Sequence, residues 1–365
     1  RLEARVILSG DTRQHGAVER GAALRLLEDV AGLVPAEVRT IQRQKGVYMQ
    51  AVQALSEGRT EEGFRQLDKL GWVQEVAETE RYKLLATDYI ATVAEGKTAL
   101  VVSPTHRECE TITDEIRSQL KRAGRLSGDE HRVLMLESAN YTEAERSDAL
   151  NYAAGDVLVF HQNAKGHRKS ERLVVGNDPL PLAEAARFTV YHPDILPVAA
   201  GDILRITRNG MTADGEHRLN NGATFTVKDV AAKGNIVLTN GWKIARDFGH
   251  IAHGYVVTSH ASQGRTVDRV FIAESTLSFP AASREQFYVS FSNGPERTEI
   301  YTDDKDALRE AVSRSDDRLS ATEFLNGRDA RDRALAFERL DQLQPAVAEA
   351  HRETQFEQRS MDHDR

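Results

Sequence analysis

A chain of 365 residues, 40% hydrophobic and 28% charged, has enough apolar mass for two or three domains of ordinary composition. A net charge of -8 excludes a nucleic-acid binder that works by overall basicity, but leaves room for a local basic groove. The single cysteine, Cys109, excludes an internal disulfide framework and sets a cytoplasmic expectation. No apolar run is long enough to span a bilayer, so no membrane insertion is expected.

The chain opens Arg1-Leu2-Glu3-Ala4-Arg5 and runs at once into the apolar Val6-Ile7-Leu8, so its numbering is expected to start inside a longer polypeptide. Val6-Ile7-Leu8 predicts a buried strand closed by Ser9-Gly10-Asp11, and Leu24, Leu27 and Ala31 fall at helical spacing before Pro35. Residues 40 to 95 read as helical with a break at Gly71-Trp72. Ala99 to Val102 predicts a buried strand, and Thr105-His106-Arg107-Glu108 a capping box that opens a helix with Ile112, Ile116 and Leu120 on its apolar stripe. Strand, short loop and helix make the unit of an α/β domain with a parallel sheet.

From Gly155 the pattern changes to short β runs: 157–160, 172–175, 188–191, 203–206, 225–227 and 236–238. Asn209-Gly210, Asn221-Gly222 and Asn240-Gly241 punctuate them as hairpin turns. These runs predict a small antiparallel barrel, or a pair of barrels, inserted in the α/β part. The buried-strand pattern returns at Tyr255 to Thr258, Val270 to Ile272 and Glu299 to Tyr301. His250 and His253 are the nearest approach to a metal-ligand pair; without a third ligand they read as loop residues.

Five stretches carry candidate chemistry. Gly10-Asp11-Thr12-Arg13-Gln14 follows a predicted strand, where Gln14 could bond a γ-phosphate or its attacking water. Arg43 follows a short apolar lead and suits bidentate phosphate contact. Ser103-Pro104-Thr105-His106 stands at a strand-to-helix turn, where free amides and a hydroxyl make a phosphate seat. Thr258-Ser259-His260-Ala261-Ser262-Gln263-Gly264-Arg265-Thr266 crowds hydroxyls, an imidazole, an amide and a guanidinium between two buried strands. That is where α/β domains bind ligands. Phe287 to Gly294 reads as a helix ending at Asn293-Gly294, ahead of Arg297 and a strand. Gly96-Lys97-Thr98 imitates the end of a P-loop, but position 91 is Ala and the triplet precedes a strand instead of following one. The chain therefore carries no Walker A loop.

Taken in order, these stretches resemble superfamily-one helicases of the RecD-like branch, and specifically the helicase part of MobF-class conjugative relaxases of the TraI/TrwC type. Gly10 to Gln14 resembles motif III, Arg43-Gln44 the following motif, Val101 to Glu108 the opening of the second RecA-like domain, Gly254 to Gly264 motif V, and Phe287 to Asp304 motif VI. Tyr152 to Lys165 points to relaxases in particular. The resemblance spans roughly residues 1 to 305.

It implies an ATP-dependent motor of two RecA-like domains moving 5′-to-3′ on single-stranded DNA. Gly10, Asp11, Gln14, Arg43, Gln263, Gly264 and Arg297 would face the nucleotide, with Gln14 and Arg43 catalytic. Ser103, Thr105, His106, Thr258, Ser259, His260 and Ser262 would face DNA. ATP and Mg2+ would bind only together with an N-terminal half bearing motifs I, Ia and II, which this stretch does not include. The remainder of the relaxase-helicase polypeptide and conjugation coupling proteins are the implied partners. The implied organisation is the end of a first RecA-like domain over 1–35, a helical linker and the start of the second over 36–154, an SH3-like barrel over 155–248, the rest of the second over 249–305, and a charged, partly disordered tail over 306–365. In the family an Arg commonly stands where this chain has Asn293, and a basic residue where it has Pro295. A non-catalytic single-strand-binding module on a degenerate helicase fold therefore stays open as a second reading, and a RecD-like repair helicase as a third.

Overall fold

The computed structural model describes residues 7–12, 14, 23–29, 31–36, 41 and 44–316. Two compact units divide the chain, Arg1–Arg39 with Asp316–Arg365, and Thr40–Ser315. In the first unit α1 (Ala23–Asp29) is the one regular element among the described residues. The strand expected over Val6-Ile7-Leu8 does not appear in its described part: Ile7 is 91% and Leu8 55% exposed. Apolar residues make a strand only where neighbouring strands satisfy their backbone, and no described strand pairs with them. The expected tail beyond residue 316 lies outside the described residues.

The second unit opens with α2 (Gly46–Ser56), α3 (Thr60–Lys69), β1 (Val73–Glu75), α4 (Glu78–Ala94), β2 (Ala99–Ser103) and α5 (His106–Arg122). An antiparallel stretch follows: β3 (Glu130–Ser138), a short α6 (Glu143–Arg146), β4 (Val157–Phe160), β5 (Arg172–Val174), β6 (Phe188–Ala199), β7 (Ile203–Ile206), β8 (Gly210–Met211), β9 (Arg218–Leu219), β10 (Thr224–Val230), β11 (Ile236–Leu238), β12 (Lys243–Ile244) and β13 (Ile251–His253). The α/β pattern then resumes with β14 (Val256–Thr258), α7 (Ser259–Ser262), β15 (Arg269–Ala273), α8 (Arg284–Ser292), β16 (Arg297–Thr302) and α9 (Lys305–Ala311).

Five of these strands form one parallel sheet in the order β1-β16-β15-β2-β14. Both faces are covered. Leu100, Val102, Val270 and Ile272 pack with residues of α2, α3, α8 and α9, while Val101, Phe271 and Ala273 pack with α4 and α5. Double burial explains why these strands read as unbroken apolar runs without alternation. The three-residue β1, just past the Gly71-Trp72 break, is too short and too polar at Gln74-Glu75 to show in the sequence pattern. The helix after β2 starts where expected, with Thr105 accepting from the Glu108 amide. The capping box is only half made, however. The Glu108 carboxylate is buried and receives the Ser103 hydroxyl at 2.8 Å and the Tyr82 hydroxyl at 2.9 Å.

The inserted strands form two antiparallel sheets, ordered β12-β11-β10-β7-β13 and β3-β6-β4-β5, beside a β8-β9 hairpin. They share a core that joins Val133, Leu196 and Val198 to Leu204, Ile206, Val227 and Leu238. The expected β runs at 157–160, 203–206 and 236–238 are strands with those bounds. β3, upstream of the change in character expected at Gly155, pairs with β6 over nine positions from Glu130↔Ala199 to Ser138↔Tyr191. Its Val133-Leu134-Met135-Leu136 run shows no alternation because Val133 and Met135 meet one core and Leu134 and Leu136 another. Of the two expected loop histidines, His253 lies in β13 and His250, just before it, is buried.

A buried ion pair ties the insertion to α5. Arg117 Nε and Nη2 donate to the two oxygens of Asp202 at 2.9 Å each, and Arg117 also bonds Glu130 at 2.7 Å. The same carboxylate accepts the Tyr255 hydroxyl at 2.9 Å and the Ala199 amide at 2.7 Å. Burial pushes the Asp202 carboxyl up, but Arg117 and the Ala199 amide outweigh it and hold it below the ordinary carboxylate range.

Candidate nucleotide and nucleic-acid site

In a parallel sheet the loops that leave the carboxyl ends of the strands are the natural ligand site. Here β2 and β14 are neighbours, and their last residues, Ser103 and Thr258, are register partners. The two richest loops of the sequence, 103–106 and 258–264, therefore leave the sheet side by side. Each opens a helical turn with a threonine cap. Thr105 accepts from the Glu108 amide at 3.3 Å and Thr258 from the Ala261 amide at 3.4 Å. His106, His260, Gln263 and Gly264 are exposed on these loops.

Two hydroxyls expected to meet DNA face inward instead. Ser103 and Ser262 are fully buried. Ser103 donates to Glu108, and Ser262 to the Ser259 carbonyl at 2.7 Å. Their side chains shape the loops from within, because a buried hydroxyl must find a protein partner. Ser259 is buried as well.

The end of α8 joins this loop. Asn293, buried, donates from Nδ2 to the Ser262 hydroxyl at 3.0 Å, while its Oδ1 has no partner among the described residues. Val267 N donates to the Asn293 carbonyl at 3.2 Å. The segment ahead of α2 closes on the same turn. Gln44, also buried, donates from Nε2 to the carbonyls of Ser292 at 3.1 Å and Gly294 at 3.0 Å. Tyr48 donates to the Phe291 carbonyl at 2.7 Å. Thus the segment after Arg43, the loop after β14 and the turn after α8 form one hydrogen-bonded cluster. Reading the sequence missed the role of Gln44, whose only signal was an amide beside a candidate arginine. Arg43 itself lies outside the described residues.

Arg297 is not brought into this cluster. It starts β16 in register with Arg269 and, through it, with Ala99, at the amino ends of the strands, whereas Ser103 and Thr258 stand at the carboxyl ends. Its guanidinium bonds Glu299 and lies over the Trp72 ring. Gly10, Asp11 and Gln14 belong to the first unit. There Gln14 Nε2 donates to Asp11 Oδ2 at 3.0 Å. A side chain at Gly10 would stand 2.7 Å from Leu24 Cδ2, so any other residue there would require the Leu24 side chain to shift. The P-loop imitation is structural, as expected: Lys97 pairs with Glu296 at 2.7 Å and the Thr98 hydroxyl with Asp268 at 2.7 Å.

One buried acid stands next to the site. Glu274, just after β15, is fully buried and takes the Gln286 amide at 2.8 Å; its Oε2 has no partner among the described residues. Burial, reinforced by the Glu108 charge and only partly offset by Gln286, pushes its carboxyl up from 4.5 to about 8. The folded state therefore holds this proton more tightly than the unfolded chain does. Its stabilisation is complete below about pH 4.5 and is lost as pH rises towards about 8. We expect the melting temperature to fall with pH across that window, and Glu274→Gln to flatten the fall. Equal slopes in both proteins would remove Glu274 as its source.

Among known proteins, residues 1–78 match the family model described as AAA domain. The chain is 22% identical over 379 residues to the multifunctional conjugation protein TraI of Escherichia coli, covering 85% of this chain and 21% of that protein. It is 24% identical over 303 residues to the conjugal transfer protein TraA of Agrobacterium fabrum, covering 82% and 22%. The chain thus spans about a fifth of the length of the curated relatives it matches. Among solved structures, the Pif1 helicase of Candida albicans is 14% identical, with 74% of this chain and 56% of that chain covered at a TM-score of 0.38. A Bacteroides Pif1 in complex with ADP-AlF3 and single-stranded DNA is 13% identical, with 75% and 52% covered at 0.39.

Proposed function

We propose that this chain is part of an ATP-dependent DNA translocase that acts in conjugative DNA transfer, within a relaxase-helicase of the kind that TraI and TraA represent. Its share of the work is to close one side of a nucleotide site and to hold single-stranded DNA. The observation that carries the reading is the single hydrogen-bonded cluster of Gln44, Ser262 and Asn293, which ties the segment after Arg43 to the loop after β14. Such a cluster lets a change at a phosphate reach a DNA-holding loop through three short contacts.

In this reading Gln14 and Arg43 act on the γ-phosphate, and Gly10, Asp11, Gln263 and Gly264 contact the nucleotide. Arg297, at the opposite ends of the strands, is left to its bond with Glu299 and its place over the Trp72 ring. Thr105, His106, Thr258 and His260 face the DNA backbone, and Ser103, Ser259 and Ser262 keep the loops in shape. ATP with Mg2+ supplies the free energy of translocation when bound. This chain offers no Walker A loop, so the triphosphate cradle and the metal ligands belong to another domain of the longer protein. The five-stranded inserted sheet is the SH3-like accessory module, and translocation is 5′-to-3′.

A fluorescent oligo-dT titrated with the chain tests the binding half. We expect affinity to fall steeply with salt, since phosphate contacts release counterions. A flat response would make base stacking the main contribution and remove the phosphate-facing roles.

One observation favours the non-catalytic reading. Position 293 bears a buried amide already engaged with Ser262, where a motor of this kind would carry a guanidinium. In the longer polypeptide the motor reading expects Asn293→Arg to raise DNA-stimulated ATP turnover severalfold. Absence of turnover in both the parent and the variant, with oligonucleotide binding retained, would establish the binding module instead.

A further inference from the structure

A cleft of about 410 Å³ lies in the insertion, between β3 and the turn from β10 to β11. Its floor is apolar. Val133 and Val230 belong to the core of the inserted strands, and Leu134 and Ala231 line the cleft half-buried. Its rim is basic. His131 and Arg132 come from β3, Lys233 from the turn and Arg246 from the segment after β12, all four exposed. Among the described residues no carboxylate lines the cleft, in a chain with 56 acidic residues against 48 lysines and arginines.

The basic rim is held in place by the backbone. The Gly234 amide donates to the Ala231 carbonyl at 2.7 Å, and the Ala231 amide to the Asn235 carbonyl at 2.9 Å. Asn235 Oδ1 accepts the Arg246 amide at 3.1 Å, which brings Arg246 to the turn that carries Lys233. The acids next in sequence are turned to other partners. Glu130 pairs with Arg117 at 2.7 Å and Lys121 at 2.6 Å, and Asp229 Oδ1 accepts the Val230 amide at 2.7 Å. Among the described residues Arg132, Lys233 and Arg246 have no ion-pair partner. The Glu130 pairs also locate the cleft. Arg117 and Lys121 lie in the last two turns of α5, so β3 starts beside the end of that helix remote from His106. At about 1.5 Å of rise per residue, Arg117 stands about 16 Å along the helix from His106 and the loops around it.

Cations gathered round an apolar floor repel one another, and they favour a partner that brings opposite charge and an apolar side chain together. No Phe, Tyr or Trp lines the cleft, so it offers no platform on which the bases of a single strand could stack. We propose that this cleft docks an acidic peptide segment of another protein. One aliphatic side chain of the segment rests on Val133 and Val230, and the carboxylates on either side of it meet Arg132, Lys233 and Arg246. The inference stands apart from the single-strand reading, which uses the loops at the carboxyl ends of the parallel strands.

The test uses the full chain and a short fluorescein-labelled peptide of alternating Glu and Leu, with a peptide of alternating Glu and Ser as control, both followed by fluorescence anisotropy. The parent is compared with Lys233→Glu and with the double change Arg132→Glu and Arg246→Glu. The Glu-Leu peptide is expected to bind the parent, and to bind the double variant about tenfold more weakly or worse; Lys233→Glu shifts affinity in the same direction. The Glu-Ser peptide is expected to bind the parent about tenfold more weakly, because the floor is then unused. All the substituted side chains are exposed, so melting temperatures should stay at the parent value, and oligo-dT should bind parent and variants equally. Parent-like binding of the Glu-Leu peptide by the variants would overturn the proposal, as would equal binding of the two peptides or no binding of the Glu-Leu peptide by the parent. Displacement of the peptide by oligo-dT, with oligo-dT itself weakened in the variants, would assign the cleft to nucleic acid and overturn the peptide site.

Discussion

Replacing Arg43 by Ala in the longer polypeptide is expected to lower DNA-stimulated ATP turnover about a thousandfold or more, the scale associated with removing a cation from a transferring phosphoryl group. The size of the effect follows from the proposed role of Arg43, together with the turn after α8. Gln44 is bound through its amide to the carbonyls of Ser292 and Gly294. That turn offers an amide at Asn293 instead of a charge, and the amide is engaged with Ser262. In the proposed reading the burden of neutralising the phosphoryl oxygens then rests on Arg43. Oligonucleotide binding and melting temperature should stay at the parent values, because the cluster that shapes the loops is left intact. Parent-like turnover in Arg43→Ala would end its assignment as a catalytic residue.

The largest expected effect on stability comes from Asp202→Ala. The change leaves the almost wholly buried Arg117 guanidinium with Glu130 as its one remaining acid partner in place of both Asp202 oxygens, and it also leaves the Tyr255 hydroxyl and the Ala199 amide without their acceptor. Breaking a buried pair from one side costs about 3 to 5 kcal/mol, readable as a lower urea midpoint. The double change Arg117→Met with Asp202→Ala should recover part of the loss, since no buried cation then depends on the half-exposed Glu130 alone. A single change costing less than about 1 kcal/mol would mean that the buried pair carries no such penalty.

Much of the α/β framework was legible because it obeys one-dimensional rules. Val101, Val257 and Phe271 sit in runs that are apolar on both faces, and the helix after Thr105 begins at a cap a reader can see. β3 was hidden by the same double burial: Val133 to Leu136 faces two cores, so it shows neither alternation nor the length of a helix. The site was legible as two polar loops, since Ser103–His106 and Thr258–Gly264 crowd more hydrogen-bonding groups than a turn requires. What the pattern could not give was direction. Ser103 and Ser262 carry the same hydroxyl as an exposed serine, and only the packing of Glu108 and of the Ser259 carbonyl turns them inward. The contacts of Gln44 link residues about 250 positions apart, a separation that no local window spans.

The passage from β13 to β14 is only Gly254 and Tyr255 long. A side chain at 254 would stand 2.9 Å from Ile203 Cγ2, and the glycine amide donates to the Ile203 carbonyl at 2.7 Å. The last inserted strand is thus joined to the strand that presents Thr258 by a coupling with almost no slack. A chimera that trades this insertion for a foreign one must therefore bring its own version of residues 202, 203 and 254 with it. A transplant cut at the visible strand ends would misalign β14 and, with it, the loop that the graft was meant to spare.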